Sequence, residues 1–141
     1  MSDTMIVIEQ VVRLARLLMR ENLSNLTHTQ VISCGALVDP WCEGNYQTGD
    51  VRQLGGVVYE CAQAHDSTGN PSWNPQEAVS LWFHWHADQK EFALPWVQPT
   101  GAHDQYRTGE YMIWTDGQVY RCVADTVYDP ESYGQAWEVA V

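Results

Sequence analysis

The first 26 residues carry apolar side chains at helical spacing. One row consists of Ile8, Val12, Ala15, Met19 and Leu26, and the adjacent row consists of Val7, Val11, Leu14 and Leu18. Arginines at positions 13, 16 and 20 share the opposite side. Apolar residues that recur every three to four positions form one face of an α-helix. The pattern predicts an amphipathic helix over residues 4–26, within an N-terminal segment of residues 1–30.

The apolar face of this helix has to be covered by other apolar groups. It packs either against the rest of the chain or against the same helix of other subunits. The row of Ile8, Val12, Ala15 and Met19 alternates spacings of four and three, which is typical of short helical bundles. We expect these four residues to form a homo-oligomer, with a trimer favoured, and intramolecular packing is the alternative.

Beyond Pro40 the pattern changes to short runs of Val, Tyr and Trp between Gly, Pro, Asn and Asp. Such runs predict short strands that are joined by turns. The predicted fold class is therefore mainly β with an N-terminal α-helix.

This part of the chain contains an internal repeat. Tyr46-Gln-Thr-Gly-Asp50 matches Tyr106-Arg-Thr-Gly-Glu110, Val58-Tyr-Glu-Cys61 matches Val119-Tyr-Arg-Cys122, and the pairs Pro75/Trp82 and Pro130/Trp137 have equal spacing. Repeated spacing indicates a repeated structural unit. We expect two small three-stranded antiparallel β-modules in tandem, over residues 38–90 (the first repeat) and residues 94–141 (the second repeat). Their hairpins would turn at Gly55-Gly56 and at Asp116-Gly117, since these dipeptides suit tight turns.

Both repeats resemble carbohydrate-binding modules of families 5 and 12, the chitin-binding type. The shared elements are an aromatic start, a Tyr-x-x-Gly-Asp turn, a Gly-centred hairpin, a Tyr strand and a terminal Trp. The resemblance implies that the recurring aromatic residues form the structural core. They are Trp41, Tyr46, Tyr59 and Trp82 in the first repeat and Trp96, Tyr106, Tyr120 and Trp137 in the second.

Three further stretches resemble bacteriophage and prophage tail-region proteins that carry such modules. They are residues 95–104, the Gln63-Ala64-His65 element and the closing residues 133–139. This resemblance implies a non-enzymatic virion accessory protein of the tail, baseplate or fibre, made in the host cytoplasm. Its expected partners are host surface polysaccharide and other virion proteins. The alternatives are a structural decoration or adaptor protein of the virion and a polysaccharide-targeting module of a secreted hydrolase.

At the positions where family members usually bind sugar, this chain departs from the family pattern. Chitin-binding members usually display an exposed aromatic pair just after the Tyr strand, where this chain has Gln63 and Ala64, then Ala124 and Asp125. We expect the stacking surface to come from other residues, which are Trp73, Trp114 and Tyr128, with His65 as a further candidate contact. These aromatic residues lie in predicted loops or a hairpin, and the alternative for each is packing against a neighbouring loop or subunit.

Composition narrows the choice of partner. Seven Trp and seven Tyr against two Phe favour surfaces that stack on sugar rings as well as shallow cores. A net charge of −11 opposes nucleic acid, because phosphate binding needs clustered Lys and Arg. Glu9, Arg13 and Arg16 interrupt the apolar stretch of residues 5–19, so neither a secretory signal nor insertion into a membrane is predicted.

Neither catalysis nor a bound cofactor or metal is predicted. The chain lacks a GxSxG nucleophile motif, and turn capping explains Asp50 and Glu110. His84-Trp85-His86 could place two imidazoles on one face, but we prefer a solvated or lightly packed strand end. The four cysteines form no CxxC pair and are predicted to be small buried thiols.

Overall fold

The predicted N-terminal helix is present, and a second, shorter helix follows it. The computed structural model describes residues 2–141. Helix α1 spans Asp3–Asn22, is capped by the Ser2 side chain, and ends in a 3-10 turn at Leu23–Asn25. The predicted helix is therefore confirmed, with its last turn tightened. Helix α2, His28–Ser33, was not predicted, and it begins with a capping box between Thr27 and Gln30.

The first repeat contains five short strands. They are β1 (Asn45–Tyr46), β2 (Val51–Leu54), β3 (Val57–Cys61), β4 (His65–Asp66) and β5 (Trp82–His84). β2, β3 and β5 form an antiparallel sheet in that order, and β1 pairs with β4. Gly55 and Gly56 join β2 to β3 with φ of 62° and 84°, which residues with side chains rarely adopt. The predicted hairpin turn is confirmed.

The second repeat forms one sheet of four strands. They are β6 (Leu94–Pro95), β7 (Tyr111–Ile113), β8 (Val119–Cys122) and β9 (Trp137–Val139), in that order. β7, β8 and β9 are antiparallel, whereas β6 adds a parallel edge. The mainly β class with small antiparallel sheets is confirmed, and the second sheet has one strand more than the predicted three.

The same contacts recur in both repeats. The amide of Gly49 donates to the Cys61 carbonyl at 2.9 Å, and the amide of Gly109 donates to the Cys122 carbonyl at 2.8 Å. A buried Tyr and a buried Trp meet edge to face in each repeat, Tyr46 with Trp82 at 4.9 Å and Tyr106 with Trp137 at 5.3 Å between ring centroids. These pairs form the centres of two separate apolar cores.

A third core joins the helices to the first sheet. Val31, Val38, Val51, Val58 and Trp85 are buried there, and Met19, Leu23 and Leu26 pack against them. Arg20 fixes the same end of α1 through two hydrogen bonds to Asp39, both 2.8 Å. The pKa of Asp39 is lowered mainly by its hydrogen bonds to Arg20.

The two apolar rows of α1 have different surroundings. In the row assigned to oligomerisation, Met19 packs inside its own chain, Val12 and Ala15 are partly buried, and only Ile8 is exposed, at 54%. The adjacent row is open along its whole length, with exposed fractions of 56%, 60%, 56% and 50% at Val7, Val11, Leu14 and Leu18. Any further partner of α1 would therefore meet the adjacent row first.

The segment His84-Trp85-His86 is buried, so our interpretation as a solvated or lightly packed strand end is wrong. One reason is that α2 covers Trp85: His28 stacks on it at 3.7 Å, and Thr29 accepts a hydrogen bond from the Asp88 amide. His86 in turn stacks on Tyr106 of the second repeat at 3.7 Å. Within residues 2–141, no group of three or more His, Cys, Asp or Glu side chains could hold a metal ion.

The cysteines divide into two pairs. Cys61 and Cys122 are fully buried, as predicted, whereas Cys34 and Cys42 are exposed and the prediction for them is wrong. Burial raises the pKa of the Cys122 thiol to about 11. No helix in the described part of the chain is long and apolar enough to cross a membrane.

Candidate functional site

Trp73 and Tyr128 occupy equivalent positions in the two repeats. Each directly precedes an Asn-Pro or Asp-Pro turn, which lies seven or eight residues before the closing Trp. Asn74 Oδ1 accepts the amides of Gln76 and Glu77 at 3.0 and 3.1 Å. Asp129 Oδ1 accepts the amides of Glu131 and Ser132 at 2.9 and 2.8 Å. The same turn therefore presents an aromatic side chain in both repeats.

Both side chains are open to solvent, although their backbones are anchored. Trp73 is 40% exposed and Tyr128 is 58% exposed. The Trp73 amide donates to the Asn70 carbonyl at 3.0 Å, and the Tyr128 carbonyl accepts the Trp137 indole N–H at 2.9 Å. An exposed aromatic ring on an ordered backbone loses little conformational entropy when it binds a ligand.

Tyr133 adds a second ring beside Tyr128, and the sequence pattern did not single it out. Tyr128, Ser132 and Tyr133 line an open depression of about 310 Å³. Tyr133 is 43% exposed, and its amide donates to the Asp129 carbonyl at 2.9 Å. The equivalent bond in the first repeat joins Ala78 to Asn74, so the repeat spacing marks Tyr133 as an added aromatic side chain.

The other two candidates lie within packed clusters. Trp114 is partly buried and meets Trp96 edge to face at 5.7 Å. His65 Nδ1 is 2.6 Å from the Gln63 carbonyl, its ring lies 5.7 Å from Trp82, and its Nε2 is buried without a partner among residues 2–141. The structure therefore does not bring these two residues together with Trp73 or Tyr128.

The recurring framework aromatics lie in or beside the cores. Tyr46, Trp82, Tyr106 and Trp137 are buried, and Trp41, Tyr59, Trp96 and Tyr120 are partly buried. The Tyr120 hydroxyl donates to Asp116 at 2.7 Å, which raises the pKa of the phenol. Each set of four therefore packs in the core of its own repeat.

The acidic turn residues are capping groups. Asp50 Oδ2 accepts the Gln47 amide at 2.8 Å, and Glu110 Oε1 accepts the Arg107 amide at 2.7 Å. A carboxylate that satisfies backbone N–H groups explains an acidic residue at both turns without catalysis.

The residues that replace the family's exposed aromatic pair are used within the chain. The Gln63 side chain donates to the Ser80 carbonyl at 2.9 Å. Asp125 accepts the Thr108 amide at 2.8 Å, and this bond is the main cause of its lowered pKa. Neither position offers a ring for stacking.

The surroundings of the exposed rings favour an uncharged ligand. Asp129 and Glu131 flank Tyr128, and residues 27–141 carry the whole net charge of −11 because residues 1–26 sum to zero. Negative charge repels anionic polymers but leaves stacking of an aromatic ring on a neutral sugar unaffected.

Comparison with known proteins assigns part of the chain. No curated protein matches it. A family model does match residues 42–83, a stretch that contains Tyr46, Tyr59, Trp73 and Trp82 and ends before the second repeat. The matching family consists of binding modules, not of catalytic domains. Residues 42–83 match the model of carbohydrate-binding module family 5/12, and they lie within the first of two repeats that each present one exposed aromatic residue before an Asx-Pro turn.

Proposed function

We propose that this protein is a non-enzymatic binder of uncharged polysaccharide that stacks sugar rings on Trp73 and Tyr128. The observation that carries the proposal is the equivalence of these two exposed rings, each anchored before an Asx-Pro turn. The family match of residues 42–83 includes Trp73 and supports sugar as the ligand class. In this proposal the second repeat is a second module that uses Tyr128 and Tyr133.

The biological setting that we propose is a bacteriophage virion. The protein would be an accessory of the tail, baseplate or fibre and would bind host surface glycans. The resemblance of residues 95–104 and 133–139 to tail-region proteins motivates this setting. The open row of α1 supports self-association, with a trimer as the leading arrangement, which would place several modules on one particle. Multivalent contact then raises avidity although each stacking site is weak.

Depletion from solution by insoluble polysaccharide tests the proposal. The full chain would be mixed with chitin, cellulose and peptidoglycan, and the unbound fraction measured. We expect at least one polymer to retain the protein, and retention to be insensitive to salt because stacking does not depend on ionic strength. The double variant Trp73→Ala/Tyr128→Ala should lose most of this retention.

Phe92→Ala is the matched control, since Phe92 is a 39% exposed aromatic residue in the segment between the two repeats. It should bind like the unchanged protein. Equal retention of the double variant and the unchanged protein would overturn the stacking site, and no retention by any uncharged polymer would overturn the function.

A structural adaptor that binds other virion proteins is the second candidate function. Gln63 and Asp125 favour it, because they occupy the positions of the usual aromatic pair and serve internal hydrogen bonds. The adaptor would remain on purified particles while showing no retention by polysaccharide, which separates it from the glycan binder.

A further inference from the structure

A cleft of about 320 Å³ separates the two repeats. Tyr59, Phe83 and His84 line it from the first repeat, and Leu94, Val97 and Asp104 line it from the second. Small-molecule sites have volumes of about 300–1,000 Å³, so the cleft is large enough for a small sugar unit.

The two walls of this cleft are held in a fixed relation. The Tyr111 amide donates to the Ala87 carbonyl at 2.9 Å, and His86 Nδ1 lies 3.0 Å from Glu110 Oε1. The His86 ring is parallel to that of Tyr106 within 3°. Because these contacts link the repeats directly, the cleft is a preformed site and not a gap between two independently moving units.

The loop of each exposed ring is connected to one wall of the cleft. On one side, Pro75 and Gln76 line it, and they follow Trp73 by two and three residues. On the other side, the Gln98 side chain lines it and donates to the carbonyl of Val127 at 2.8 Å, directly before Tyr128. The cleft is therefore tied to the backbone segments that carry both rings.

The polar groups of the cleft suit a neutral ligand. Burial lowers the pKa of His84 to about 4, so its imidazole is neutral at physiological pH and can both donate and accept a hydrogen bond. The Asp104 carboxylate already accepts the amides of Thr100 and Gly101, at 2.9 Å each. Aromatic walls with a few hydrogen-bonding groups held in place are the chemistry that recognises a sugar ring.

We propose that this cleft is the central subsite of one continuous path from Trp73 to Tyr128, and that it takes an uncharged sugar unit of the polysaccharide. The inference rests on the proposed function and adds a specific ligand position between the repeats. It makes the two repeats act on one polymer chain instead of on two.

A substitution that fills the cleft with a bulky side chain tests the inference. The full chain would be titrated with triacetylchitotriose and with cellotriose while backbone and indole N–H signals are followed by NMR. Val97→Trp places a large side chain at a 45% exposed position of the cleft wall. We expect the signals of Phe83 and His84 to shift in the unchanged protein, and affinity to fall about tenfold or more in the variant.

Val139→Trp is the control, because Val139 is 44% exposed on β9 and does not line the cleft. It should bind like the unchanged protein. Equal affinity of Val97→Trp and Val139→Trp, or shifts confined to Trp73 and Tyr128, would overturn the cleft and leave the proposed function standing. Failure of every insoluble polymer to retain the unchanged protein would overturn both.

Discussion

Gly35 shows how a single residue can fix the position of the helical segment on the first sheet. A Cβ atom at Gly35 would lie 2.1 Å from the carbonyl oxygen of Gly56, which belongs to the hairpin turn between β2 and β3. Because that contact is with backbone, neither partner can yield by rotating a side chain. The close approach explains a buried glycine without a positive φ at this point.

Gly35→Ala should therefore destabilise the protein. Overpacking against backbone costs about 1–3 kcal/mol, and we expect a loss of about 2 kcal/mol in the free energy of unfolding, measured by urea denaturation. Gly134→Ala is the matched control, since nothing lies within 4 Å of the position that its added methyl group would take and its φ is not positive. Equal stability of the two variants would show that Gly35 is not in close contact with the turn.

His84 gives the protein an acid-sensitive stability. Burial lowers its pKa from 6.5 to about 4, so the unfolded chain binds a proton at a higher pH than the folded chain does. This contribution is complete above pH 6.5, declines as the pH falls towards 4, and amounts to about 3 kcal/mol.

The variant His84→Gln should flatten that part of the pH profile. We expect its free energy of unfolding to change less between pH 7 and pH 4 than that of the unchanged protein, by about 3 kcal/mol, in urea titrations at each pH. The comparison uses the change in the free energy of unfolding with pH, because the substitution also lowers that free energy by an amount that does not depend on pH. Identical slopes would contradict a buried neutral imidazole at this position.

At the residue scale, the sequence made Trp73 and Tyr128 candidate ligand contacts but did not show what surrounds them. Their placement in loops outside the framework made them candidates, whereas their equivalence depends on the hydrogen bonds of Asn74 and Asp129. Tyr133 was missed because the pattern places it within the closing motif. The burial of Trp85 depends on α2, which was not predicted, and that of His86 depends on stacking against Tyr106 of the second repeat.

At the element scale, α1 has one part that packs on its own chain and one part that is exposed. Its C-terminal part packs on the first sheet through Met19 and Leu23 and is fixed by Arg20, whereas the open row runs from Val7 to Leu18. Periodicity identified both rows, but it could not tell which of them the rest of the chain covers.

Charge on the open row should abolish self-association. We expect light scattering to give about three times 16.0 kDa for the unchanged chain and 16.0 kDa for Val11→Glu/Leu18→Glu. Buried unpaired carboxylates are strongly unfavourable, so the variant should not assemble. Arg13→Glu, on the opposite side of α1, should keep the assembled mass. A monomeric unchanged chain would contradict the oligomer.

The strands were predictable to different degrees. Gly-Gly and Asp-Gly turns marked the two hairpins, because few other dipeptides allow positive φ there. β6 has only two residues and pairs in parallel with β7, so it carries no periodicity of its own. The Thr27 and Gln30 spacing was the one local signal that could have revealed α2.

At the scale of the whole molecule, the repeats are joined by direct contacts and not only by the intervening chain. His86 packs on Tyr106, the loop after Trp73 lines the cleft, and the residue before Tyr128 is hydrogen-bonded to Gln98 of the cleft wall. In the proposed function, a single polymer chain would be the ligand of both repeats. The sequence predicted the repeats, but the contact between them depends on tertiary structure.

The most direct measurement is a binding isotherm on one retaining polysaccharide for the unchanged chain, Trp73→Ala, Tyr128→Ala and the double variant. If each repeat contributes one stacking ring to the same polymer, each single variant should weaken binding and the double variant should weaken it further than either. Unchanged binding of either single variant would contradict the account, because one of the two repeats would then take no part in holding the glycan.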